Sequence, residues 1–510
     1  MRGSAVVLFS SLLIFPAPVE AQAPPADDVR ASVARWVDAN QRAVVGELVD
    51  LLSIPNVAAN RPDILRNLTY LEQAFARRGF TTRRLDTAGN PLFFAERSTP
   101  GATKTTLIYA HVDGQPVDPA AWAQDDPWTP IVRTNRIDQE GTPVEDWRSR
   151  DRFEPSWRVY ARSASDDKSP IAAMLTALDA LAAAGFAPTT HLKVIIDTEE
   201  EAGSPNLVPA VTRYRDVLAA DLMLIFDGPM HSSGRPTLAF GARGIITGTL
   251  TVYGPKSGVH SGNYGNWVPN PALALVRLLT SMKDDEGRVT IEGYYDDVVP
   301  LTDEERVLLT SVPDDSDELK RVFGFAAPER ADRSLQEGLQ IPTLNIRGLA
   351  SAHVGAGART LIPDRAVAEL DLRLVKETSG PKLMSLVADH IRRQGFYLVD
   401  AEPTDAERAA HPKIARLEVG PLMAAFRTSP LADDSRALAT ALERAFGEPP
   451  VQIRTLGGSV PIAPFVEALN VPAILVPIVN FDNNQHEENE NLRVGDFFKG
   501  IEILAVVLAR

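Results

Sequence analysis

Cysteine is absent from the 510-residue chain. That excludes disulfides, thiolate zinc sites, iron–sulfur clusters and thiol nucleophiles together. His, Asp and Glu remain as the ligands for any metal. Positive charge is outnumbered: 52 Lys and Arg stand against 67 Asp and Glu, a formal net charge of −15. A chain of that sign repels a phosphate backbone, so nucleic acid is not an expected partner. No Gly-x-Ser-x-Gly string marks a serine-hydrolase elbow. Past the N-terminal segment no apolar run is long enough to span a bilayer, and residues 501–508 are too few. Apolar (44%) and charged (23%) fractions are those of a globular protein, and the length suits two or three domains.

Residues 1–23 differ from the rest. Arg2 supplies a short positive region, residues 5–15 are apolar, and Ala21-Gln22-Ala23 gives the small-x-small pattern of a signal cleavage site. The expectation is an exported protein, periplasmic or secreted, with no stable membrane insertion after cleavage. The apolar run is too short for an uncleaved anchor.

Residues 29–80 carry apolar positions at helical spacing, and Gly79 marks a C-terminal cap. Short apolar stretches at 92–95, 105–110, 191–197 and 222–227 read as strands, with a helix over 171–184 between them. That alternation predicts an α/β domain with a mostly parallel sheet. Between about 244 and 419 the pattern changes. Residues 245–252 and 366–374 alternate like half-exposed strands, and 271–282 and 381–394 read as helices. After about 420 the α/β pattern returns, with a helix at 435–446, a strand at 473–477 and a last helix at 494–509. The expected architecture is a catalytic α/β domain in two parts, 24–243 and 420–510, interrupted by a smaller inserted α+β domain, 244–419. Residues 125–156, rich in Asp, Arg, Pro and Trp, read as a long surface loop.

In α/β sheets, ligands gather at the carboxyl ends of strands. There the chain places His111 and Asp113 after the 105–110 strand, Glu199-Glu200-Glu201 after 191–197, Asp227 after 222–226, and His486 after 473–477. Asp166 and Asp167 precede the 171–184 helix. Individually, these residues also suit plain roles: a helix N-cap for the aspartates, a solvated turn for the glutamates. Residues two apart on extended chain share a face, so Asp113 is positioned to hold the His111 imidazole in one tautomer.

The strings Tyr109-Ala-His-Val-Asp113, Ala164-Ser-Asp-Asp-Lys168, Glu200-Glu-Ala-Gly-Ser204, Asp227 and Gln485-His-Glu-Glu-Asn489 resemble, in order and spacing, the M20 family of metallopeptidases, in particular its carnosine dipeptidase-like branch. Supporting strings are Gly241-Ala-Arg-Gly244, His260-Ser-Gly-Asn-Tyr-Gly265, Ala358-Arg-Thr-Leu-Ile-Pro363 and Gly457-Gly-Ser-Val-Pro461. The resemblance covers about residues 40–510. It implies two divalent metal ions, zinc first, with manganese or cobalt as alternatives. Asp166 would bridge them, His111 and Asp227 would complete one site, and Glu201 and His486 the other. The resemblance makes Glu200 the general base, with Asp113 beside His111. It makes His260 an oxyanion partner from the inserted domain, often across a dimer. It assigns Arg373, with Gly458 and Ser459, to the substrate carboxylate. The glutamate register rests on Gly203-Ser204, since the family reads Glu-Glu-x-Gly-Ser; Glu199 is then left as a surface residue. Two departures stand out. The usual Gly-Arg-Gly is Ala161-Arg162-Ser163 here, and the Gly expected after Lys168 is Ser169.

The function implied is hydrolysis of the amide bond of dipeptides or short peptide ends through a water bridging the metals, by a homodimer joined through the inserted lid domain. An N-acyl or N-carbamoyl amino-acid amidohydrolase of the same superfamily would use the same residues on another amide. A non-catalytic binding protein on a decayed peptidase fold would have lost a ligand or Glu200, and all are present.

Overall fold

Two strands, Thr105–His111 and Leu222–Ile225, are buried on both faces, with an apolar run at 107–110 in the first and throughout the second, the pattern of central strands in a parallel sheet. In the computed structural model, which describes residues 24–510, they sit in the middle of an eight-stranded sheet. Its order is Thr81–Leu85, Leu92–Arg97, His191–Asp197, Thr105–His111, Leu222–Ile225, Ala473–Leu475, Thr237–Ala239 and Val451–Ile453. The central four strands are parallel. The first two strands run antiparallel to their neighbours, and the last two are parallel to each other but antiparallel to Ala473–Leu475. The proposed export segment, 1–23, lies outside the described residues.

Alternation along the strands feeds two cores. Ile108 and Ala110 face one, with the helices Ala26–Ala39, Gln41–Leu52, Arg61–Ala76, Lys168–Ala183 and Val494–Ala509. Leu107 and Tyr109 face the other, with Leu207–Arg213 and Ala463–Leu469. The mostly parallel α/β layer read from the sequence is therefore present. No helix among the described residues is long and apolar enough to cross a membrane.

A second, five-stranded sheet forms the inserted domain, in the order Thr343–Ala350, Arg365–Leu374, Gly244–Tyr253, Ile414–Met423 and Tyr397–Leu398. Helices Pro271–Thr280 and Gly380–Arg393 pack their apolar faces on it. Gly241–Ala242 pairs antiparallel with Phe426–Arg427, so the outgoing and returning chains leave the catalytic domain side by side.

The segment 125–156 corrects the reading of a surface loop. Ile131–Arg133 joins Arg158–Tyr160 and Asn491–Arg493 in a three-stranded sheet, and Val132, Val144, Trp147 and Phe153 are buried in the main core. Isolated apolar residues among charges show no periodicity, so their burial depends on partners distant in sequence.

Candidate active site

The carboxyl ends of the central strands open onto one crevice. His111 ends Thr105–His111, and Asp227 follows Leu222–Ile225. Glu200 and Glu201 lie in the short 3-10 turn after His191–Asp197, and Asp166 stands just before Lys168–Ala183. His486 comes from the loop before Asn491–Arg493. The structure brings five of these together in two groups of three. His111, Asp166 and Asp227 form one, and Asp166, Glu201 and His486 the other; within each, the ligand atoms lie within 4.8 Å of one another. Asp166 is common to both. Its Oδ1 is 2.8 Å from His111 Nε2, and its Oδ2 is 3.0 Å from His486 Nε2. Glu201 Oε2 lies 3.3 Å from His486 Nε2. Glu200 belongs to neither group, but its carboxyl feels the charges of His111, Asp227, Asp166 and Glu201.

Burial and like charge dominate the electrostatics. Burial, reinforced by Asp166, pushes Glu201 up to about 7 and Asp227 to about 6. Burial, with Asp227 and Asp166 adding repulsion and His111 opposing, raises Glu200 well above its ordinary value. Burial would also raise Asp166, but contacts with His111 and His486 outweigh it and hold that carboxylate well below the usual range. His486 is pushed up to about 9, chiefly by its contact with Asp166.

Other carboxylates hold the glutamate turn. Asp113 Oδ1 accepts the Glu200 amide and Oδ2 the Glu201 amide, both at 3.0 Å. Its carboxylate is 3.6 Å from His111 Nδ1, whereas its backbone carbonyl is 3.1 Å away. The expected hold on the imidazole is thus made by the main chain, because the two turn amides claim the carboxylate. Glu199 is not a free surface residue. Its carboxylate accepts from Asn90 N at 3.0 Å and Asn206 Nδ2 at 2.6 Å. A Cβ on Gly89 would come within 2.4 Å of that carboxylate and of Asn206 Nδ2, so a side chain there would push both aside. Asp197, buried under the turn, accepts from Ser204 Oγ at 2.6 Å and Tyr109 Oη at 3.2 Å.

The remaining predicted residues lie apart from this cluster. Arg373 Nη1 donates to Ser459 Oγ at 2.9 Å, with Gly458 beside it in the chain. His260 is exposed and its Nδ1 accepts from Gly262 N at 3.1 Å. Among the described residues no hydrogen bond or ion pair joins His260 or Arg373 to the two donor groups.

A family model, "Peptidase family M20/M25/M40", matches residues 107–510. The chain belongs to this family. It is a hydrolase of the M20 metallopeptidase type. A Cys-Gly metallodipeptidase of Candida albicans is 26% identical over 481 residues, covering 90% of this chain and 93% of that protein. The human Beta-Ala-His dipeptidase is 26% identical over 532 residues, covering 99% and 97%. A crystal structure of an M20 family metallo-carboxypeptidase from Sulfolobus solfataricus superposes with a TM-score of 0.71 at 28% identity, covering 91% of this chain and 98% of that one.

In this M20 protein the loop leading to Asp166 is held by a residue the sequence did not single out. Glu490, 1% exposed, accepts from the amides of Ser163, Ser165 and Asp166 at 2.8–2.9 Å and pairs with Arg162 at 2.9 Å. A buried carboxylate with that many donors is strongly favoured over an unpaired one. Its position directly after the Gln485-to-Asn489 string was the available signal. The departure at Ser163 also finds its account. Ser163 has a φ of 61°, a conformation that favours glycine, and its Oγ accepts from Asn56 Nδ2 at 2.8 Å, a bond glycine would lack. Ser169, the other departure, is buried with its hydroxyl unpartnered, and nothing in the structure explains it.

A cation entering the two donor groups must displace protons. Asp227, Glu201 and His486 lose theirs around 6, 7 and 9 respectively, so divalent-ion affinity should rise from pH 6 to pH 9. Competition with a chromophoric chelator across that range checks it; affinity independent of pH would contradict the assignment.

Proposed function

We propose that this chain is a dinuclear metallodipeptidase that hydrolyses dipeptides or removes residues from the ends of short peptides. The observation that carries the reading is Asp166, shared between two triads of His and carboxylate donors, with half-buried Glu200 next to Glu201 in the same turn. The residues fit two divalent cations. Each triad is three protein donors, as a catalytic zinc site requires, and buried carboxylates this crowded call for positive charge. His111, Asp166 and Asp227 would hold one ion, and Asp166, Glu201 and His486 the other. Zinc is the first candidate, with manganese or cobalt as alternatives. When bound, such a pair polarises a scissile carbonyl and acidifies water.

The chain's own residues supply the rest. Glu200, fixed through its amide by Asp113, accepts a proton from the attacking water and passes it to the leaving amine; burial keeps its carboxyl basic enough for that task. Arg373, with Ser459 and the backbone at Gly458, binds the substrate carboxylate, the fork of a guanidinium suiting it. Recognition of a terminal carboxylate gives exopeptidase action, and it agrees with relatives named as dipeptidases and a structural neighbour named as a metallo-carboxypeptidase. His260 stabilises the oxyanion from the inserted domain. Since its ring is exposed, the partner it serves is a second copy, in a homodimer formed through that domain. Exposed Trp267, Leu273, Leu349 and Val354 of the insert supply apolar surface for that contact. We further propose export, on the strength of residues 1–23; N-terminal sequencing of exported protein should find a start just after Ala21 or Ala23, and a mature chain still beginning at Met1 would reject it.

Glu200→Gln should retain its metals and lose at least about 100-fold in kcat, because the amide cannot take the water's proton. Near-normal turnover in Glu200→Gln, with turnover but not metal lost in Glu201→Gln, would reverse the two roles. His260→Ala should keep its metals and lose about 100-fold in kcat with little change in KM. Mixing it with Asp166→Ala should restore part of the activity through hybrid dimers. No recovery in a verified heterodimer would reject the cross-subunit role.

A further inference from the structure

His486 reaches the crevice from a loop that its backbone alone does not favour. Asn484, His486 and Asn489 have φ values of 55°, 65° and 58°, in the left-handed region that few non-glycine residues adopt. Three such residues within one short loop persist only where the surroundings over-determine it.

Those surroundings centre on Arg158, 2% exposed at the start of its strand. Its Nη1 donates to the Asp482 carbonyl at 3.1 Å and to Asn491 Oδ1 at 2.6 Å, and its Nη2 to Asp482 Oδ2 at 2.7 Å. Arg493 Nη2 adds two contacts to the same carboxylate, each 3.0 Å. Asn491, fixed by Arg158, donates through Nδ2 to the carbonyls of Asn489 and Asn483 at 3.1 and 3.3 Å. Asn483 Oδ1 accepts the amide of Gln485 at 2.8 Å, the residue before His486. The path from one guanidinium therefore reaches both sides of His486. From the far side, Ala123 N donates to Asn489 Oδ1 at 2.8 Å.

The other donors are held differently. His111 ends a strand paired on both sides, Asp227 follows a strand held between two parallel neighbours, and Asp166 is held by Glu490. No hydrogen bond or ion pair joins the Arg158 side chain to any of the three. We infer that Arg158, acting through Asp482 and Asn491, is the positioning residue for His486, and so sets one of the two cation sites and not the other. The inference rests on the dinuclear reading above. Its chemistry depends on the guanidinium fork: two nitrogens engage three acceptors at fixed angles, which a lysine ammonium does not reproduce.

The test counts and titrates zinc in the full-length protein, comparing wild type, His486→Ala, Arg158→Met and Arg158→Lys, with Asp482→Asn as a milder variant should the Arg158 variants fold poorly. Wild type should bind two ions and His486→Ala one. The Arg158 and Asp482 variants should keep one site at wild-type affinity and weaken the other by about 10–100-fold, with lysine failing to rescue. Two unchanged sites in a folded variant, or two sites weakened alike, would overturn the positioning role while leaving the dinuclear reading intact. A single ion in wild type would overturn both.

Discussion

The crevice concentrates negative charge where water is scarce. Asp113, Asp166, Asp167 and Asp197 are buried, and Glu200, Glu201 and Asp227 crowd beside them with their ionisation suppressed by burial and mutual repulsion. No fold gathers so many acids for stability, since each must be neutralised, paired or counterbalanced by a cation. The surrounding architecture reads as a response to that constraint.

The acids divide by what satisfies them. Asp113 and Asp197 are spent on amides and hydroxyls of the turn that carries Glu200 and Glu201. Glu490 is spent on the loop that carries Asp166 and on Arg162. Asp166 and Glu201 instead face histidines. Asp167 accepts from the His111 amide at 3.1 Å through one oxygen, while the other is buried without a partner. Structural carboxylates thus stand behind the turns, and those with open coordination face the crevice, a division set by which backbone amides point where.

The inserted domain attaches to the catalytic one through strands and side chains. It hangs from two adjacent strands, Gly241–Ala242 and Phe426–Arg427, and meets the catalytic domain where Arg373 reaches Ser459. That contact ties the Arg365–Leu374 strand of the inserted domain to the Gly457-to-Pro461 string of the catalytic domain.

The sequence alone determined the mostly parallel α/β layer and the existence of the insert, because periodicity of 3.6 or 2 is a local property of the chain. It also marked His111, Asp166, Glu200, Glu201, Asp227 and His486 as candidates, since each stands at or near the end of an apolar run or before a helix. Only the tertiary structure decided what each neighbour does. The Asp113 carboxylate turns from the imidazole to two amides 87 and 88 residues away. Glu490 reaches Asp166 across 324 residues, and Arg158 reaches Asn491 across 333. The apolar residues of 125–156 pack into a core whose other members come from distant parts of the chain. Partners that distant leave no local pattern: a hydrogen bond is set by three-dimensional approach, and the chain's order carries no trace of it until the sheet has closed.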